Sequence, residues 1–165
     1  MMNHPNLYLA GKIGKNDWRH HLVPDLRGHL WADGPIQTDA FSYVGPFFVS
    51  CDHGCRHGPN LHGAVGDECG PEVTQRDVIA NNNTALDAAD LLLAYITAPD
   101  CYGTLVEIGW ALKGGTRVVV AFAPGIPVQE FWYGALQSDA IHTDVRECCL
   151  AAILATELQK TKARV

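Results

Sequence analysis

The stretch at residues 90–123, DLLLAYITAPDCYGTLVEIGWALKGGTRVVVAFA, decides the fold. After Asp90 it opens on a continuous apolar run, the pattern of a central parallel strand covered on both faces. TRVVVAFA at 116–123 reads as a second buried strand, and the segment between them as a helix. Strand, helix and strand in this order imply a parallel sheet with helices on both faces. Ligands of such sheets bind outside the carboxyl ends of the strands.

The flanks extend the alternation. NLYLAGKIG at 6–14 is a short apolar run ending in glycine, a first strand turning into a loop. KNDWRHHLVPDLRGHLW at 15–31 is expected to be helical, with Pro24 as a break or kink. FSYVGPFFVS at 41–50 is a strand interrupted at Gly45-Pro46. Residues 72–89 carry a helical pattern with Val73, Val78, Ile79, Leu86 and Ala89 as the buried face. VQEFWYGALQ at 128–137 is expected to be helical, and residues 144–165 close the chain as a helix with Lys160, Lys162 and Arg164 in its last turns. Cys148 and Cys149 fall in its apolar part, as core or interface fillers. The expected architecture is one domain over residues 1–165, a flavodoxin-like or Rossmann-like α/β sandwich of about five parallel strands. Its functional loops are residues 11–18, 51–70 and 97–107.

Composition narrows the function. A chain of 165 residues, 47% hydrophobic and 18% charged, can bury a core as one domain. A net charge of −6 argues against a partner that is a nucleic-acid polymer, which needs a clustered basic surface. Without a membrane-length apolar run or a signal-like opening, the expected compartment is the cytoplasm. The six cysteines then read as thiols, small hydrophobes or metal ligands rather than a disulfide framework.

Glu107 has two readings. Thr104 and Glu107 have the spacing of a capping box, in which each side chain satisfies a free backbone donor of the other residue. The same placement puts a carboxylate in the first helical turn, near the positive end of the macrodipole and at the ligand-binding edge. An ionised carboxylate fixed there can attack an electrophilic carbon.

YLAG at 8–11, the Trp18-Arg19 pair, AADLLLAYI at 88–96 and DCYGTLVEIGWALKGG at 100–115 resemble the nucleoside 2-deoxyribosyltransferase family over about half the chain. The resemblance implies a retaining double displacement at the anomeric carbon, with Glu107 as nucleophile, Tyr8 orienting it and Asp100 beside sugar and base. The implied substrate-binding set is Gly11, Trp18, Asn82, Asp90, Gly103, Thr104 and His53, with Asp90 positioning its strand rather than reacting. Residue by residue, a bland reading stands beside each: a strand tyrosine at 8, a core tryptophan at 18, a loop aspartate at 100 and turn residues at 103 and 104. No cofactor is required. The partners implied are a nucleoside or nucleotide, a free nucleobase and further copies of the chain, with Trp132 and Tyr133 at the subunit contact. Hydrolysis by the same nucleophile is the alternative chemistry, and a non-catalytic nucleotide-binding or zinc-stabilised module the alternative class. Lys12, Lys15, Arg19 and Thr104 are candidate donors to a 5′-phosphate.

One departure stands out. Many members of that family carry an aspartate where Asn82 lies in ANNNT, and an asparagine cannot shuttle a proton. Asp87, Asp100 or a histidine is left to replace it. Finally, CDHGCRHGPNLHGAVGDEC at 51–69 gathers cysteines and histidines without periodicity. Cys51, His53, Cys55 and Cys69 could close a zinc site, although their spacing is not that of common zinc modules. The other readings are a glycine-rich loop over the site, with His53, His57 or His62 reaching the nucleobase, and a solvated loop.

Overall fold

The computed structural model of the chain describes residues 4–14, 16–27, 29, 34–47 and 74–164. Six strands form one sheet: β1 Asn6–Gly11, β2 Ile36–Gln37, β3 Ser42–Gly45, β4 Leu91–Ile96, β5 Arg117–Phe122 and β6 Ala140–His142. Their spatial order is β2-β3-β1-β4-β5-β6, all neighbours parallel except the edge strand β2. Numbered without β2, the parallel strands run 2-1-3-4-5, the flavodoxin-like order, with its topological switch point between β1 and β4.

Helices α1 Arg19–Leu22 and α5 Glu147–Lys162 lie with one face of the sheet, and α2 Gln75–Ala88, α3 Tyr102–Gly114 and α4 Trp132–Ala135 with the other. The side-chain period of two divides the core accordingly. Leu7, Leu9, Leu91, Leu93 and Tyr95 point to the α5 side, whereas Tyr8, Ala10, Leu92, Ala94 and Ile96 point to the α3 side. Burial on both faces explains why β4 and β5 are apolar without alternation.

Several expectations are corrected. The helix foreseen at 15–31 is one turn, Arg19–Leu22, followed by a 3₁₀ turn at Pro24–Leu26, because Arg19 is drawn back onto β1. Strand β3 stops at Gly45, before Pro46, which has no N–H for a ladder. Of the expected buried face of α2, Leu86 and Ala89 are buried, Val78 is half-buried and Ile79 is exposed. Val73 lies outside the described residues. Cys148 and Cys149 are exposed in the first turn of α5 and fill no part of the core. Strands β2 and β6 were not anticipated.

Candidate functional site

The buried stripe of α3 is Cys101, Thr104, Ile108 and Ala111, a helical period that begins at Cys101. The helix therefore starts at Tyr102, with Cys101 as N-cap and no side-chain cap bond, and ends at Gly115, whose left-handed φ of 79° suits glycine. This overturns the capping-box reading. Glu107 is the sixth helical residue, in the second turn, and Thr104 the third. It also removes the macrodipole as the influence on Glu107, because that effect fades beyond the first turn.

What holds Glu107 is β1. The Tyr8 hydroxyl donates to Glu107 Oε1 at 2.6 Å, from a tyrosine with no exposed surface. Next to it the β1–β3 register slips, Leu7 pairing with Tyr43 and Tyr8 with Gly45, a bulge of the kind that re-aims a side chain beside a site. Gly45 gives the Tyr8 ring its room: a Cβ there would lie 3.1 Å from Tyr8 Cε2 and 3.3 Å from the Ala85 methyl of α2. Burial pushes the Glu107 carboxyl above its ordinary value, while the Tyr8 hydrogen bond and the Arg19 charge pull it back part of the way. Burial first, then the Glu107 charge and hydrogen bond, holds the Tyr8 phenol well above the ordinary tyrosine value. The hydroxyl is thus a donor throughout the neutral range. Its hydrogen bond engages Oε1.

The other expected site residues divide into three groups. At the carboxyl edge, Asp100 and Lys12 meet in an exposed ion pair of 2.6 Å that ties the loop after β4 to the loop after β1. The Lys12 hydrogen bond lowers the Asp100 carboxyl, which suits it to be a charged contact and not a proton donor. Gly103 is exposed in the first turn of α3, and a Cβ there would meet nothing within 4 Å beyond its own helix among the described residues, so their packing does not require glycine. Thr104 is buried beneath it.

A second group serves the interior. Trp18 is a core residue, edge-on to Tyr95 at 5.4 Å, so it is not a free stacking platform. Gly11 is explained by packing, since a Cβ would sit 3.0 Å from the Tyr95 carbonyl and 3.1 Å from the Trp18 ring. Arg19, a candidate phosphate donor, is fully buried, with Nε on the Leu9 carbonyl, Nη2 on the Gly11 carbonyl and Nη1 on both oxygens of Asp17. Cys101 is buried and its thiol raised by that burial.

The third group is made up of residues near the ends and on the length of α2. Asp90 is at the amino edge of the sheet, accepting from Asn6 N–H, so it frames β1 and β4 at the end opposite the carboxyl edge. Asp87 is engaged by Trp110 Nε1 at 2.7 Å. Asn82 is half-buried on α2, but its neighbour Asn81 is the one with a buried Nδ2 lacking a partner. Asn81 lies one turn before Ala85 on the same helix face, and no pattern in the run of three asparagines distinguished it. Lys15, His53, His57, His62 and the zinc candidates Cys51, Cys55 and Cys69 lie outside the described residues. Among the described residues, no group of three or more His, Cys, Asp or Glu side chains is placed to hold a metal ion. Nor is any helix among them long and apolar enough to cross a membrane.

No family model and no curated protein matches the chain. Among solved structures, a conserved protein from Enterococcus faecalis V583 is similar over 98% of this chain and 99% of its own, at 17% identity and a TM-score of 0.50. That likeness extends to the fold alone.

Proposed function

We propose that the protein cleaves the N-glycosidic bond of a nucleoside or nucleotide with Glu107 as nucleophile, as in the nucleoside 2-deoxyribosyltransferases its motifs resemble. The observation that carries this reading is the 2.6 Å hydrogen bond from Tyr8 to Glu107 Oε1 on the helix that leaves the switch-point strand β4. In the first step Oε2 bonds to C1′ as the C1′–N bond breaks, and the base leaves with the electron pair and takes up a proton from solvent. In the second step a nitrogen of an incoming base attacks C1′ and gives up its proton to solvent, the ester bond breaks, and Glu107 recovers its carboxylate. Transfer to a second base is the first reading, and attack by water, giving free sugar, the second.

The test is chromatographic. The protein is incubated with 2′-deoxynucleosides, ribonucleosides and their monophosphates, with and without added base, beside Glu107→Gln. Exchange that needs the acceptor and is lost in the variant supports transfer, and release of sugar without acceptor supports hydrolysis. Base release that survives in Glu107→Gln, or no turnover of any substrate, refutes the proposal.

The expected subunit contact also has a candidate surface. Leu105 and Tyr133 are exposed and line a groove of about 610 Å³ between α3 and α4, and Trp132 and Leu136 are exposed on α4 and at its C-cap. Lys113 and Glu130 also line it. Light scattering of Trp132→Ser/Leu136→Glu tests this, and an unchanged mass refutes it.

A further inference from the structure

Helices α2 and α3 both run from the carboxyl edge of the sheet back to its amino edge, and Trp110 Nε1 of α3 is tied to Asp87 of α2 at 2.7 Å. On α2, Ile79, Asn82 and Leu86 are spaced i, i+3 and i+7, so they share one line of the helix. Along that line burial falls toward the N-terminus: Leu86 is 2% exposed, Asn82 half-buried and Ile79 59% exposed. The change coincides with the end of β3. That strand stops at Gly45, where a Cβ would lie 3.3 Å from the Ala85 methyl, whereas α2 begins at Gln75. An exposed isoleucine is ordinary on an outer face. On the line of Leu86 it is an apolar wall with open space before it.

The tie between the helices gives its height above Glu107. At 1.5 Å per residue, Glu107 precedes Trp110 by about 4–5 Å and Ile79 precedes Asp87 by about 12 Å, so Ile79 stands roughly 7 Å nearer the carboxyl edge than the glutamate. Gly103, on the same face of α3 as Glu107 and one turn before it, is at the level of Ile79. It is exposed, and a Cβ on it would meet nothing within 4 Å beyond its own helix among the described residues. We propose that Ile79 is a specificity-determining residue of this site, the apolar wall on which the departing base lies, with the Gly103 backbone on the other side. An isoleucine offers nothing to the hydroxyls of a sugar but suits the face of a flat, uncharged heterocycle. Asn82, one turn closer to Glu107, brings an amide donor and acceptor to the edge of that ring.

This inference rests on the reading of Glu107 as the nucleophile of an N-glycosidic cleavage, and its first test needs no turnover. Protein labelled at the isoleucine δ1 methyls is titrated with free adenine, with uracil and with 2-deoxyribose, the Ile79 signal being assigned by its loss in Ile79→Val. A base lying on Ile79 shifts that methyl saturably through its ring current, while 2-deoxyribose leaves it in place. The Ile141 methyl, exposed on β6, is the internal control and stays still. In the second test, Ile79→Ala raises KM for the nucleoside about tenfold and lowers kcat less. An Ile79 methyl that neither base moves, or that moves only together with Ile141, overturns the proposal, as does an unchanged KM in Ile79→Ala. Base binding at Ile79 without turnover of any nucleoside would remove the N-glycosidic reading and leave the base wall standing. Turnover with a still Ile79 methyl would do the reverse.

Discussion

Replacing Tyr8 by phenylalanine removes one oxygen and little else, because the ring is fully buried and its packing against Gly45 is kept. The lost interaction is a 2.6 Å hydrogen bond to a carboxylate, worth about 1.5–3 kcal/mol, as bonds to charged groups are. If Tyr8 orients the attacking Glu107, that loss corresponds to a fall of about 10- to 150-fold in kcat/KM. A pH signature accompanies it. The Tyr8 bond lowers the Glu107 carboxyl, so without it burial raises the group further, and the acid limb of the rate profile moves to higher pH. Stability follows the same sign. A carboxyl raised in the folded state contributes stability that is complete below its unfolded value and is lost as pH rises through the folded one. In Tyr8→Phe that loss extends to higher pH, and melting curves from pH 4 to 8 report it. An acid limb that stays in place or moves down in a folded Tyr8→Phe protein would refute this account of how Glu107 is held.

The remaining predictions separate chemistry from packing. Glu107→Gln should abolish turnover yet melt at or above the wild-type temperature at pH 8, because it removes a buried charge; a clear drop in Tm would mean the carboxylate is itself stabilising. Gly103→Ala should stabilise α3 by up to about 1 kcal/mol in denaturant titrations, since its Cβ meets open space, while raising KM if ligand approaches the first turn. An unchanged KM would remove Gly103 from the site. Gly45→Ala forces the Tyr8 ring or Ala85 to move and should cost about 1–3 kcal/mol, with kcat falling as well. Asn81→Ala breaks no hydrogen bond and should cost no more than about 1 kcal/mol; a larger loss on chemical denaturation would show that the amide has a partner in the folded protein.

Much of the fold was legible in the chain. Leu91–Ile96 and Arg117–Phe122 are strands because apolar residues without alternation satisfy a sheet buried on both faces, and that requirement is local enough to read from composition. The pairing of a YLAG strand with a glutamate 99 residues away was legible only as a resemblance, and the structure brings the two within 2.6 Å. Short pieces were not legible. Strands β2 and β6 are two and three residues long and exist because neighbouring backbone was there to pair with.

Tertiary structure decided the rest. Thr104 and Glu107 have capping-box spacing, yet the buried stripe beginning at Cys101 starts the helix earlier and places Glu107 in the second turn. Nothing in the local sequence weighs a cap bond against the burial of four side chains. Trp18 and Arg19 read as ligand contacts because their chemistry suits bases and phosphates, but the early end of β3 left carbonyls that only a buried donor could satisfy. The sequence by itself determined which segments are buried strands and which residue types could do the chemistry, since both depend on neighbours along the chain. Which of those residues face a ligand and which complete the interior was settled by where each strand stops, a property of the assembled sheet.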